Sequence, residues 1–162
     1  MKFSLITEDN YASVTKIYLA GIATGNATFE TKVPSFEEWD KNHLPFGRII
    51  AEVNQEITGW AAFSKVSDRK AYSGVAEVSI YLAPEFRGQG IGTEILNELI
   101  AISESNQIWS LYCGIMSENK ASIALHKKCG FREVGYREKI AQLHGVWRDN
   151  VIIERRSKIV GL

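Results

Sequence analysis

Arg87-Gly88-Gln89-Gly90-Ile91-Gly92 is the stretch that decides how this chain reads. It follows an apolar, strand-like run from Val75 to Leu82 and precedes an amphipathic, helix-like run from Thr93 to Glu104. Three glycines in five positions leave backbone N–H groups bare where a helix begins. Unpaired amides and the positive end of the helix dipole both favour an anion there, so the turn is expected to cradle phosphate. Spacing excludes two common phosphate binders. A Walker loop ends in Gly-Lys-Ser/Thr, whereas Gly92 is followed by Thr93 and Glu94. A dinucleotide fingerprint sets its third glycine one position later, inside a βαβ unit that this pattern lacks.

Bulk properties narrow the class. A chain of 162 residues suits one domain, spanning 1–162, with a sizeable core. Lys plus Arg and Asp plus Glu balance at 19 each, so no global field favours nucleic acid or an anionic membrane. The longest apolar runs are strand-sized, well short of the ~20 residues of a membrane helix. Met1-Lys2-Phe3-Ser4 has no signal-peptide apolar core. Cys113 and Cys129 offer neither a disulfide framework nor metal-ligand spacing. The expectation is a cytoplasmic protein without metal, nucleic-acid or membrane partners.

The pattern along the chain reads β-α-α-β-β-β-α-β-α-β-β. Phe3 to Ile6 is a short strand, and Thr7, Asp9 or Asn10 caps a helix carrying Val14, Ile17, Tyr18 and Ile22. Ser35 and Glu38 form a capping box for a second helix. Arg48–Val53 and Ile57–Ser67 make a hairpin across Asn54-Gln55-Glu56. Ile108–Ile115 reads as a buried strand, and a helix from Asn119 to Lys128 stops at Gly130. Phe131–Ile140 and Val146–Arg155 pair as a closing hairpin. The result is an α/β mixed sheet with helices on both faces.

The remaining signature, Arg/Gln-x-x-Gly-x-Gly/Ala, together with the run Val78 to Gly92, resembles the GNAT superfamily of N-acetyltransferases. The resemblance covers nearly the whole chain. It implies the acyl-CoA N-acyltransferase fold, with the fourth and fifth strands splayed, and acetyl-CoA as co-substrate. Carried over, Ile80, Tyr81 and Leu82 offer main-chain groups to the pantetheine arm. Gly88, Gln89, Gly90, Ile91, Gly92 and Thr93 hold the pyrophosphate, and Arg87 adds charge. Asn119 matches the family asparagine that hydrogen-bonds the arm, while its position is equally that of a helix cap.

Acetyl transfer to an amine needs a base, because an ordinary ammonium with pKa ~10.4 is protonated near neutrality. The thioester oxygen needs preset donors, here assigned to a backbone N–H near Tyr81 or Leu82, and the departing thiolate gains from a proton donor. Glu77 interrupts an apolar strand, where a carboxylate is unfavourable unless it faces a wet cleft or a partner. Partial burial raises its pKa towards that of a useful base. Val75 to Tyr81 also looks like the Val-Glu-x-Ser-Val-Tyr strand of the phosphinothricin N-acetyltransferase branch, in which the glutamate is a proposed base. His126, in Ala124-Leu125-His126-Lys127-Lys128, is the candidate donor to the thiolate. His144, in Leu143-His144-Gly145-Val146-Trp147, matches an acceptor-site segment of that branch, although Leu143 replaces its usual lysine. Cys113 and Cys129 read as packing residues, which favours direct transfer over an acyl-cysteine.

Thr28-Phe29-Glu30-Thr31 and Arg69-Lys70-Ala71-Tyr72 match two loops that border the acceptor pocket in the branch. Arg69 and Tyr72 are expected to grip a carboxylate. The aromatic residues Phe29, Trp39, Tyr72 and Trp147 are read as enclosing a small pocket. The implied acceptor is a small amino-acid-like amine such as phosphinothricin or methionine sulfoximine, and the implied assembly a homodimer. Two alternatives stay open: a peptide or protein N-acetyltransferase, and an acyl-CoA-binding module without turnover.

Overall fold

In the computed structural model, which describes residues 1–162, seven strands form a single mixed sheet. They are β1 (Lys2–Leu5), β2 (Ile49–Val53), β3 (Glu56–Lys65), β4 (Val75–Leu82), β5 (Ser110–Met116), β6 (Arg132–Leu143) and β7 (Val146–Arg156). Four α-helices intervene: α1 (Tyr11–Ala23), α2 (Phe36–Asn42), α3 (Ile91–Ser105) and α4 (Lys120–Lys128). The spatial order is β1-β2-β3-β4-β5-β7-β6, and β4 and β5 are the parallel pair. Element order and the mixed sheet agree with the sequence reading.

Local chemistry sets the boundaries. Ser35 Oγ accepts from the Glu38 N–H at 3.3 Å, and Glu38 Oε2 accepts from the Ser35 N–H at 3.1 Å, which starts α2. Gly130, at φ 86°, ends the turn after α4. Asn54 and Gln55, at φ 51° and 67°, alone make the β2–β3 turn, because Glu56 already pairs with Val53. β6 runs beyond the expected Ile140 to Leu143 and turns at His144-Gly145, with φ of 50° and 78°. It also bulges: Arg137 opposes Asn150 and Ala141 opposes Arg148, so Glu138–Ile140 face Asp149 alone. Asp149 fastens that bulge, accepting from the Lys139 N–H at 2.7 Å and from the Tyr136 hydroxyl.

Both faces of the central strands are covered. Ala61, Phe63, Ala76, Val78, Leu111 and Ile153 pack under α3 residues Ile95, Leu96 and Leu99. On the other face Ile50, Trp60 and Ala62 pack under Tyr11, Val14, Ile17, Tyr18 and Trp39 of α1 and α2. Burying such side chains contributes roughly 1.5–3 kcal/mol each, so this double-sided core fixes the sheet register.

One ladder is incomplete. β4 and β5 pair only through Val75–Ser110, Ala76–Leu111 and Glu77–Tyr112. Past Glu77, β4 continues beside β3 to Leu82 and β5 continues beside β7 to Met116, leaving a V-shaped gap between them.

Candidate active site

The gap opens into a cavity of about 900 Å³. Its walls combine β4 from Glu77 to Leu82, β5 from Tyr112 to Ile115, the glycine loop, α4 and the Asn26–Glu30 segment. Strand alternation divides its contents. Val78 belongs to the α3-side core, whereas Glu77, Ser79 and Tyr81 point to the α1–α2 side. The glycine loop begins α3 and so serves one face, while the Glu77 carboxylate serves the other. The gap joins the two.

The glycine loop fits a diphosphate. None of the N–H groups of Gly88 through Gly92 donates to another backbone carbonyl. Gly88 and Gly90 adopt φ of 75° and 84°, and a Cβ at either would meet open space. Those conformations turn successive amides outward at the start of a 15-residue helix, the arrangement that binds anions. Gly92 does a different job: a Cβ there would lie 3.0 Å from Leu82 Cδ1 and 3.1 Å from Leu125 Cδ2, so its bareness lets α3 approach β4 and α4. Side chains in this loop divide as well. Arg87 and Thr93 line the cavity. The Gln89 amide turns back to the Glu85 carbonyl at 2.8 Å, and Ile91 is buried in the core, so these two are left with their backbone amides alone for a ligand.

Asn119 both caps and lines. Its Oδ1 accepts from the Ser122 N–H at 3.2 Å, and its Nδ2 donates to the Asn26 carbonyl at 3.3 Å, tying α4 to the loop after α1. Ile80 and Leu82 lean on the α3-side core, and Tyr81 stacks on Trp60 at 4.8 Å. These side chains anchor β4 while its inner edge stays unpaired.

Glu77 sits where the β4–β5 ladder stops, half-buried, in the cavity wall. Burial holds its pKa above the ordinary carboxylate value, as a general base requires. Tyr112, its register partner, has its hydroxyl pKa raised by burial and by the Glu77 charge, so it keeps its proton at neutrality. Thr28, Phe29 and Glu30 also line the cavity.

The remaining expected site residues divide between the cavity wall and the exposed surface. His126 is in the cavity wall, 2% exposed, with Nδ1 2.8 Å from the Ser122 carbonyl oxygen. Burial lowers its pKa, so the ring is neutral, and the carbonyl, which only accepts, keeps the proton on Nδ1. Nε2 is buried without a hydrogen-bond partner. His144 forms the β6–β7 turn with Gly145 and is exposed, outside the cavity of this chain. Arg69 and Tyr72 are also exposed and outside it: Lys70–Tyr72 is a single 3-10 turn, and the guanidinium lies 5.5 Å above the Tyr72 ring. Of the supposed enclosing aromatics only Phe29 lines the cavity, since Trp39 is core and Trp147 is exposed. Cys113 is buried and burial raises its thiol pKa, which removes it as a nucleophile. Sequence reading missed Tyr112, Arg137 and Asn150, which the sheet register brings to the same face.

Comparison with known proteins identifies the family. Residues 13–131 match the acetyltransferase (GNAT) family. The chain belongs to that family. It is accordingly an acyltransferase with acetyl-CoA as co-substrate, which suits the free amides of the glycine loop and the open edge of β4. This GNAT chain is 31% identical over 159 residues to the phosphinothricin N-acetyltransferase of Alcaligenes faecalis, covering 93% of this chain and 80% of that protein. A GNAT phosphinothricin acetyltransferase from Sinorhizobium meliloti, crystallised with acetyl-CoA, superposes with TM-score 0.86 at 29% identity over 99% of this chain and 90% of that one. The ribosomal-protein-alanine N-acetyltransferase of Brucella melitensis superposes with TM-score 0.88 at 27% identity, over 97% and 100%.

Proposed function

We propose that this acetyltransferase moves the acetyl group directly to the primary amine of a small amino-acid-like acceptor, with Glu77 as the base. The observation that carries the reading is the place of Glu77: half-buried, at the apex of the β4–β5 gap, with its side chain on the face opposite the diphosphate loop. An acyl group brought through the gap from the α3 side meets an amine arriving from the α1–α2 side. The ammonium gives one proton to the Glu77 carboxylate, directly or through water, its nitrogen bonds the acetyl carbon, and the C–S bond breaks as a second proton from that nitrogen passes to the departing sulfur, releasing CoA as the thiol. The anion that develops on the acyl oxygen is met by backbone N–H groups of β4 near Tyr81 and Leu82. Burial raises the thiol pKa of Cys113 and of the less completely buried Cys129, which supports direct transfer over an acyl-cysteine.

The phosphinothricin N-acetyltransferases among the relatives favour a small acceptor. The ribosomal-protein-alanine N-acetyltransferase keeps a peptide amine as the second reading. A screen with acetyl-CoA, following thiol release over amino acids, their analogues and a peptide N-terminus, separates them. Turnover of the peptide alone would overturn the small-acceptor reading. We further propose a cytoplasmic homodimer, supported by the exposed Tyr136, Val146 and Trp147 on the β6–β7 hairpin, with sedimentation as the measurement.

A further inference from the structure

A row of residues crosses one face of the sheet from the gap to its edge. Glu77 on β4 is in register with Tyr112 on β5, and Gly114, two positions on, is opposite Ile152 on β7. Asn150, two residues before Ile152, is opposite Arg137 on β6. Directly paired positions, and positions two apart on one strand, share a face, so all six lie on the α1–α2 side. All six line the cavity. Gly114 keeps this floor low: a Cβ there would lie 2.9 Å from Asn150 Nδ2. The Asn150 Oδ1 is buried without a hydrogen-bond partner.

Arg137 is the cation of this row, and it is free. The salt bridges of the molecule engage Arg48, Lys65, Lys127, Arg132, Arg148 and Arg155. Arg137 enters none of them, although Arg148 nearby on β7 is paired with Glu118 at 2.6 Å. Its guanidinium is within Coulombic reach of the Tyr112 hydroxyl, which also feels Glu77 from the other side. The β6 bulge begins immediately after it and is pinned through Asp149, so the backbone that carries Arg137 is held in place.

We propose that Arg137 is the specificity residue of the acceptor site, its guanidinium binding a carboxylate on the acceptor while the amine faces Glu77. The inference rests on the small-amine reading above and narrows it to amines that carry an acid group. A guanidinium fork matches a carboxylate in two hydrogen bonds, and the opposite charges at the two ends of the row orient a zwitterion in one sense only. Arg69 lies outside the cavity of this chain, its guanidinium over the Tyr72 ring.

The test uses an amino acid and its carboxamide as matched acceptors, with wild type and Arg137→Gln assayed by thiol release. The readout is the acid-to-amide ratio of kcat/KM, compared between the two proteins so that differences in amine basicity cancel. The ratio is expected to fall about ten- to a hundredfold in Arg137→Gln, through the KM of the acid, as for a lost charge-assisted hydrogen bond. Arg137→Lys, which keeps charge but not the fork, is expected between the two. Arg137 is exposed and unpaired, so the KM for acetyl-CoA should not move, which also reports that the variant is folded. A ratio unchanged in Arg137→Gln overturns the assignment while leaving acetyl transfer to small amines intact. A wild type that acetylates neither acceptor but does acetylate a peptide amine overturns both.

Discussion

Glu77 carries opposite signatures in activity and in stability. Its pKa is raised above the ordinary 4.5 by burial. In the proposed role of base it works only when ionised, so kcat/KM should rise with pH through an inflection above the ordinary carboxylate range. Glu77→Gln should remove that inflection and lower kcat on the order of a hundredfold, with acetyl-CoA affinity unchanged by calorimetry. Stability runs the other way. The unfolded chain ionises this group at lower pH than the folded one, so Glu77 subtracts stability as pH climbs from 4.5 through its folded value. Glu77→Gln should therefore melt higher than wild type at neutral pH, the difference closing in acid. A carboxylate inside an apolar run was legible in the sequence because it contradicts its surroundings. Arg137 was not legible, since an arginine on an exposed edge strand contradicts nothing.

At the scale of elements, strands and turns were legible where chemistry is local. The capping box at Ser35 and Glu38, the stop at Gly130 and the glycines ahead of α3 each specify a boundary within a few residues. The β6 bulge is held by Asp149, ten residues from the Lys139 amide it accepts from, and no local pattern announces that pairing. Two predictions belong here. Gly90→Val forces a β-branched side chain into φ 84°, a strain of about 1–2 kcal/mol, but its Cβ meets no neighbour. Calorimetry should show acetyl-CoA affinity reduced at least tenfold, with circular dichroism showing the fold retained. Asp149→Ala should release the bulge and raise KM for a carboxylate-bearing acceptor more than KM for acetyl-CoA, because Arg137 loses its fixed base.

Across the whole molecule, two histidines make the fold sensitive to acid. Burial lowers the pKa of both His43 and His126 from the ordinary 6.5. The unfolded chain binds these protons first, so stability is full above 6.5 and drains away as pH falls from there through the folded values. His126→Gln should make the decline of Tm with pH shallower while leaving the share that His43 contributes. The mixed sheet and its two helical layers were legible because apolar periodicity survives burial on both faces. Which loops meet across the sheet was not, since register between distant strands leaves little trace in spacing. The β4–β5 ladder, finally, stops after three pairs, so beyond Glu77 both strands carry an unpaired edge at the centre of the sheet. Amide hydrogens of β4 and β5 that face the gap should exchange quickly with deuterated solvent, and slow markedly once acetyl-CoA is added. Such slowing would show the co-substrate filling the open edge before any chemistry begins.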